Sequence, residues 1–119
     1  MTIKRVGILG SGIMGSGIAE VAAKTGHEVV LRSRKQDTAD AMVASLTKSL
    51  AKQVDRGKLS EEDRDATLAR VTATDHIGAV ADCDLVIESV VEDMDIKKGL
   101  FAELDGVVKE GAILATNTS

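Results

Sequence analysis

Aromatic side chains are almost missing from this chain: Phe101 stands alone, with no tryptophan and no tyrosine. The core therefore has to be built from Val, Ile, Leu, Ala and Met, and the stacking platforms that grip single-stranded nucleic acid are excluded. Thiols are as scarce. Cys83 is the only cysteine, which removes any intramolecular disulfide and any zinc site of several thiolates, so no metal is expected. A lone cysteine reads first as a small buried hydrophobe. Basic charge is not in excess either: 15 Lys and Arg face 19 Asp and Glu, a net charge of −4. Binding a nucleic-acid backbone asks for a clear positive surplus. The N-terminal apolar run at 6–9 is far too short for a membrane span or a signal-peptide core, so the expected setting is cytoplasmic and without a membrane.

What is present is the mixture of a globular domain, 44% hydrophobic and 29% charged in 119 residues. Such a length folds around one core. Val6, Gly7, Ile8 and Leu9 make a continuous apolar run, the sign of a strand covered on both faces, and it stops at a cluster of glycines. From there Ile13, Met14, Ile18, Val21 and Ala22 recur at helical spacing, with Gly26 as a natural C-terminal cap. A β-branched run at 28–31 completes strand, helix and strand in about thirty residues, the length of a right-handed parallel crossover.

A helical hairpin is predicted next, over 37–56 and 61–69. Val43, Leu46, Leu50 and Val54 share a face of its first helix, Gly57 ends that helix, and Ser60 offers an N-cap ahead of Glu61, Glu62 and Asp63. Further strands are expected at 71–74, 85–87 and 112–115, with Ile96, Leu100, Leu104 and Val107 marking a helix between the last two. Alternation of this kind gives an α/β fold with a parallel sheet and helices on both faces.

Gly10-Ser11-Gly12-Ile13-Met14-Gly15 matches G-x-G-x-x-G. The first glycine permits a tight turn, the second lets backbone approach a pyrophosphate, and the third lets helix and strand pack closely. Between a strand and a helix in a compact βαβ unit, this points to dinucleotide binding. In such units an acidic residue about twenty positions on holds the ribose hydroxyl. That place reads Arg32-Ser33-Arg34 here. Without a carboxylate to repel a 2′-phosphate, and with a guanidinium to grip one, the cofactor is NADP or NAD with NADP favoured. The competing reading makes these residues solvated charges at a loop mouth.

Three segments, VGILGSGIMGSGIAEVAAKTGHEVVL, CDLVIESVVEDMDIKKGLFAEL and ILATNTS, closely resemble the N-terminal domain of 3-hydroxyacyl-CoA dehydrogenases, most of all the 3-hydroxybutyryl-CoA type. The resemblance runs along the whole chain. It implies a Rossmann-like doubly wound sheet and reversible hydride transfer between a nicotinamide cofactor and a short-chain 3-hydroxyacyl-CoA, within fatty acid or butanoate metabolism. It carries Ser89, Glu92, Lys97 and Asn117 to the cofactor's ribose and nicotinamide end, and gives Ser119 the catalytic task of hydrogen-bonding the substrate oxygen. The helical hairpin is the part such enzymes turn to CoA. Ser49, Lys52 and Arg56 lie three or four apart there and suit phosphates, although a solvated face explains them as well. The chain departs from the family in having Ser33 where most relatives have aspartate.

The resemblance also implies a general-base histidine and a large helical, dimerising domain beyond Ser119, so residues 1–119 are expected to be an incomplete dinucleotide-binding domain cut from a homodimeric parent and inactive alone. His27, at the start of the second strand, and His76, after the third, do not substitute for that base. Two other readings stay open: a relative of the 3-hydroxyacid dehydrogenases, which share the glycine turn but lack E-S-V-V-E and N-T-S, and a non-catalytic domain that senses NAD(P).

Overall fold

The computed structural model describes residues 3–10, 13–88 and 94–116. In chain order they form β1 (Arg5–Leu9), α1 (Ile13–Lys24), β2 (Glu28–Arg32), α2 (Gln36–Asp55), α3 (Glu61–Ala69), β3 (Val71–Thr74), a 3-10 turn (Ile77–Val80), β4 (Leu85–Glu88), α4 (Met94–Asp105) and β5 (Ile113–Thr116). The elements are those expected, with bounds moved by a residue at several ends. β4 runs on to Glu88, and Val107 lies past the end of α4.

All five strands are parallel in the order β3-β2-β1-β4-β5. The chain winds outward from β1 to β3, returns across β1 to β4, and winds outward the other way. Right-handed crossovers in opposite directions put their helices on opposite faces, which makes the sheet doubly wound. On one face Val6, Ile8, Val29 and Leu31 pack with Ala19, Ala23 and Met42. On the other, Leu9, Val30 and Val86 pack with Val80, Cys83 and Leu104. Neighbouring residues in β1 and β2 thus divide between two cores, as the two-residue strand period requires.

The helix ends follow local chemistry. Gly26 has φ +98°; its N–H donates to Ala23 O and that of His27 to Ala22 O, the paired bonds of a Schellman cap. Gly57 repeats the arrangement at φ +72°, with bonds to Val54 O and from Lys58 N to Gln53 O. Ser60 Oγ accepts from Asp63 N at 3.1 Å, as its position predicted.

Two helix faces differ from expectation. Val21 is 63% exposed, and α1 instead buries Ala19 and Ala23 completely. Small residues bring the helix close to the sheet, and the line joining Ala19 and Ala23 lies about half a turn from Val21. In α2 the buried stripe is Ala39, Met42, Leu46 and Leu50, with Val43 and Val54 only half-buried.

Asp84 staples the amino-terminal edge. Its carboxylate accepts from the backbone N–H groups of Lys4 at 2.9 Å and Arg5 at 3.1 Å and pairs with Lys109 Nζ, joining β1, β4 and the approach to β5. Lys109 first, then the two N–H donors, hold this carboxyl well below the ordinary carboxylate range. A group with a depressed folded pKa stabilises fully above its unfolded value, about 3.9, and loses that contribution as pH falls toward the folded one. Asp84→Asn is expected to melt lower than the native chain at pH 7, with the gap shrinking below about pH 4. Thermal unfolding at the two pH values checks this, and a gap that does not change with pH contradicts it.

Candidate functional site at the carboxyl edge of the sheet

Strand register gathers the site. Leu9 pairs with Arg32 on one side and Glu88 on the other, Arg32 with Thr74, and Glu88 with Thr116. The strand ends therefore form one row, and the segments that follow them leave from the same edge. Ligands of open parallel sheets bind there, at the point where the winding reverses between β1 and β4.

After Leu9 the backbone turns at Gly10, with φ +129°, a conformation that favours glycine over any residue with a Cβ. Gly10 N–H donates to Arg32 O at 3.0 Å, fixing the start of the glycine turn against the end of β2. α1 then begins at Ile13 with no acidic residue in its first turn, so the positive end of the helix dipole is left unopposed by its own side chains. Ile13, Met14 and Gly15 lie in α1, whereas Ser11 and Gly12 lie outside the described residues.

The end of β2 divides a stretch that reads as uniformly basic. Arg32 is half-buried, and its Nε donates to Asp75 O at 3.2 Å; it is committed to the protein. Ser33 is 6% exposed, and its hydroxyl has no partner among the described residues. Arg34 and Lys35 are exposed, their side chains likewise without partners there. Lys35 is the N-cap of α2 and makes no side-chain cap bond. An unpaired hydroxyl on a largely buried serine and two unpaired cations are groups that fit the ribose-phosphate end of a dinucleotide, although α2 itself carries Asp37 in its first turn.

Ser49, Lys52 and Arg56 sit apart from this edge. Lys52 follows the start of α2 by about 24 Å of helix axis, and Gln53 beside it bonds Lys24 and Glu20 of α1. That is the half of α1 remote from the phosphate turn. Lys52 and Arg56 are exposed and Ser49 is half-buried. Ser89, Glu92, Asn117 and Ser119 lie outside the described residues, and Lys97 is placed in α4 by its backbone.

Glu88 is the residue that sequence reading passed over. It closes β4 at 1% exposure, in the middle of the edge row. Its signal in the sequence was an acid ending an apolar run, at the head of the E-S-V-V-E segment that carries the resemblance but assigns it no role.

His76 is 87% exposed beside Asp75, and His27 Nδ1 lies 3.0 Å from Thr25 Oγ1 and 3.2 Å from Ala22 O at the end of α1. Cys83 is fully buried, and burial pushes its thiol up despite the nearby Arg5. Among the described residues no cluster of three or more His, Cys, Asp or Glu is arranged to hold a metal, and no helix is long and apolar enough to cross a membrane.

Comparison with known proteins shows the family. The family described as "3-hydroxyacyl-CoA dehydrogenase, NAD binding domain" matches residues 5–119. A 3-hydroxybutyryl-CoA dehydrogenase of Clostridioides difficile is 45% identical over 115 residues, 97% of this chain and 41% of that protein. The crystal structure of FadB2 from M. tuberculosis superposes with a TM-score of 0.96 at 45% identity, over 100% of this chain and 42% of that one. That of 3-hydroxybutyryl-CoA dehydrogenase from Escherichia coli gives 0.96 at 40% identity, over 100% and 25%. The chain thus spans about two-fifths of the length of the curated 3-hydroxybutyryl-CoA dehydrogenases it matches. By that family match and those identities, the chain belongs to the 3-hydroxyacyl-CoA dehydrogenases and forms their NAD-binding domain.

Proposed function

We propose that the chain is the cofactor-binding part of an enzyme that moves hydride between NADP(H), in preference to NAD(H), and a short-chain 3-hydroxyacyl-CoA such as 3-hydroxybutyryl-CoA, with acetoacetyl-CoA as the oxidised partner. The end of β2 carries the reading. It holds no carboxylate to repel a 2′-phosphate, and it offers the Ser33 hydroxyl beside the unpaired cations Arg34 and Lys35.

In this reading the backbone from Gly10 to Gly15 cradles the pyrophosphate at the start of α1. Ser33 and Arg34 hold the 2′-phosphate. Ser89, Glu92, Lys97 and Asn117 orient the nicotinamide end, and Ser119 hydrogen-bonds the substrate oxygen. Ser49, Lys52 and Arg56 meet CoA phosphates. Hydride chemistry comes from the nicotinamide once the cofactor is bound.

The general base belongs to a part of the parent beyond Ser119, so residues 1–119 bind cofactor and turn over nothing alone. The parent is a cytoplasmic homodimer working in fatty acid or butanoate metabolism. Arg34→Ala is expected to weaken NADPH binding about tenfold or more, the value of a charge-assisted hydrogen-bond pair, and to change NADH binding less than about twofold. Isothermal titration with each cofactor reads this; equal losses for both would contradict it.

A further inference from the structure

The turn between β2 and α2 is sewn to the end of β3. Successive carbonyls there accept one donor each: Ala73 O from Gln36 Nε2 at 3.3 Å, Thr74 O from Ser33 N at 3.1 Å, and Asp75 O from Arg32 Nε at 3.2 Å. On its other side the turn is held by Gly10 N–H, which donates to Arg32 O. Gln36 Nε2 also donates to Asp40 Oδ1 at 2.9 Å, which holds its amide in place. Between these bonds stand Arg34 and Lys35, whose side chains touch no partner among the described residues. Such clamping costs side-chain entropy at Arg32 and Gln36, and it fixes the backbone that aims the unpaired pair.

We propose that Arg32 and Gln36 are positioning residues for cofactor choice: by bonding Asp75 O just past β3 and Ala73 O within it, they hold the 33–35 turn so that Arg34 meets the 2′-phosphate, without touching the cofactor themselves. This rests on the NADP reading above. Arg32 is then not part of the phosphate grip, although it is the first of the basic residues there. A preordered fork loses less freedom on binding an anion than a loose one does, so slackening the turn weakens only the interaction that depends on Arg34.

The test uses Arg32→Met, which keeps the aliphatic stem, and Gln36→Leu at an exposed position that leaves the core untouched. NADPH and NADH dissociation constants are measured for both, alone and combined with Arg34→Ala, together with the exchange rate of the Ser33 amide. Each single variant is expected to weaken NADPH about threefold to tenfold with NADH unchanged, and to add nothing once Arg34 is alanine, since coupled residues are not additive. The Ser33 amide exchanges faster in both. Losses that add to Arg34→Ala overturn the proposal by showing a direct phosphate contact. An unchanged NADPH-to-NADH ratio in both variants overturns it as well. Should the unaltered chain not prefer NADPH, the NADP reading fails on that number and positioning for cofactor choice falls with it; a faster Ser33 amide would then show that only the clamp is real.

Discussion

Gly7→Ala is expected to lower the melting temperature by about 5 to 15 °C, which corresponds to about 1 to 3 kcal/mol of overpacking in a domain of this size. Gly7 lies in the middle of β1, where a Cβ would come within 2.9 Å of Val80 Cγ1 and 3.1 Å of Cys83 Sγ. Both neighbours are fully buried, so neither side chain has free space to swing into. The missing side chain is what lets the 3-10 turn lie against β1 and close the core on that face. Because β1 leads into Gly10, displacement of its middle also loosens the phosphate turn. Shrinking the obstacle with Val80→Ala in the Gly7→Ala background should recover part of the loss in a double-mutant cycle. A Gly7→Ala chain that melts with the native one, by calorimetry, would show that the packing is softer than described.

Ser33→Asp carries the second large effect. A carboxylate at the end of β2 would accept from a ribose hydroxyl and stand against a 2′-phosphate, where like charges cost several kcal/mol. The ratio of NADPH to NADH affinity is expected to fall about a hundredfold or more. Ser33 is 6% exposed, so the new charge is also taken out of water in the empty protein. The variant should therefore melt lower without ligand and gain more from NADH than the native chain does. Titration and melting in the presence of each cofactor measure both parts. NADPH binding that survives the carboxylate unchanged would mean that the phosphate does not sit at this turn.

How far these features could be read in advance depends on their range. Gly26, Gly57 and Ser60 act on the turn in which they stand, and each does what its position predicted. The strand–glycine–helix order of residues 6–24 is equally local, and β1 and α1 form where it predicted them. The rotation of a helix is not local. Ile18, Val21 and Ala22 fit one apolar arc as well as Ala19 and Ala23 do, and only the sheet beneath chooses, leaving Val21 in solvent.

The end of β2 shows the same limit in the site. Arg32, Ser33 and Arg34 look alike as one polar cluster in sequence. Yet the first is tied to Asp75, a residue 43 positions away, the second is buried and the third is exposed. Glu88 escaped for a related reason: its burial follows from its place between Leu9 and Thr116, a register that no single segment encodes.

The ratio of NADH to NADPH dissociation constants for the unaltered chain measures the proposed cofactor choice most directly. NADPH should bind about tenfold tighter or more at low salt, with the advantage narrowing as added salt screens the exposed Arg34 and Lys35. Equal or tighter binding of NADH across that salt range would contradict it.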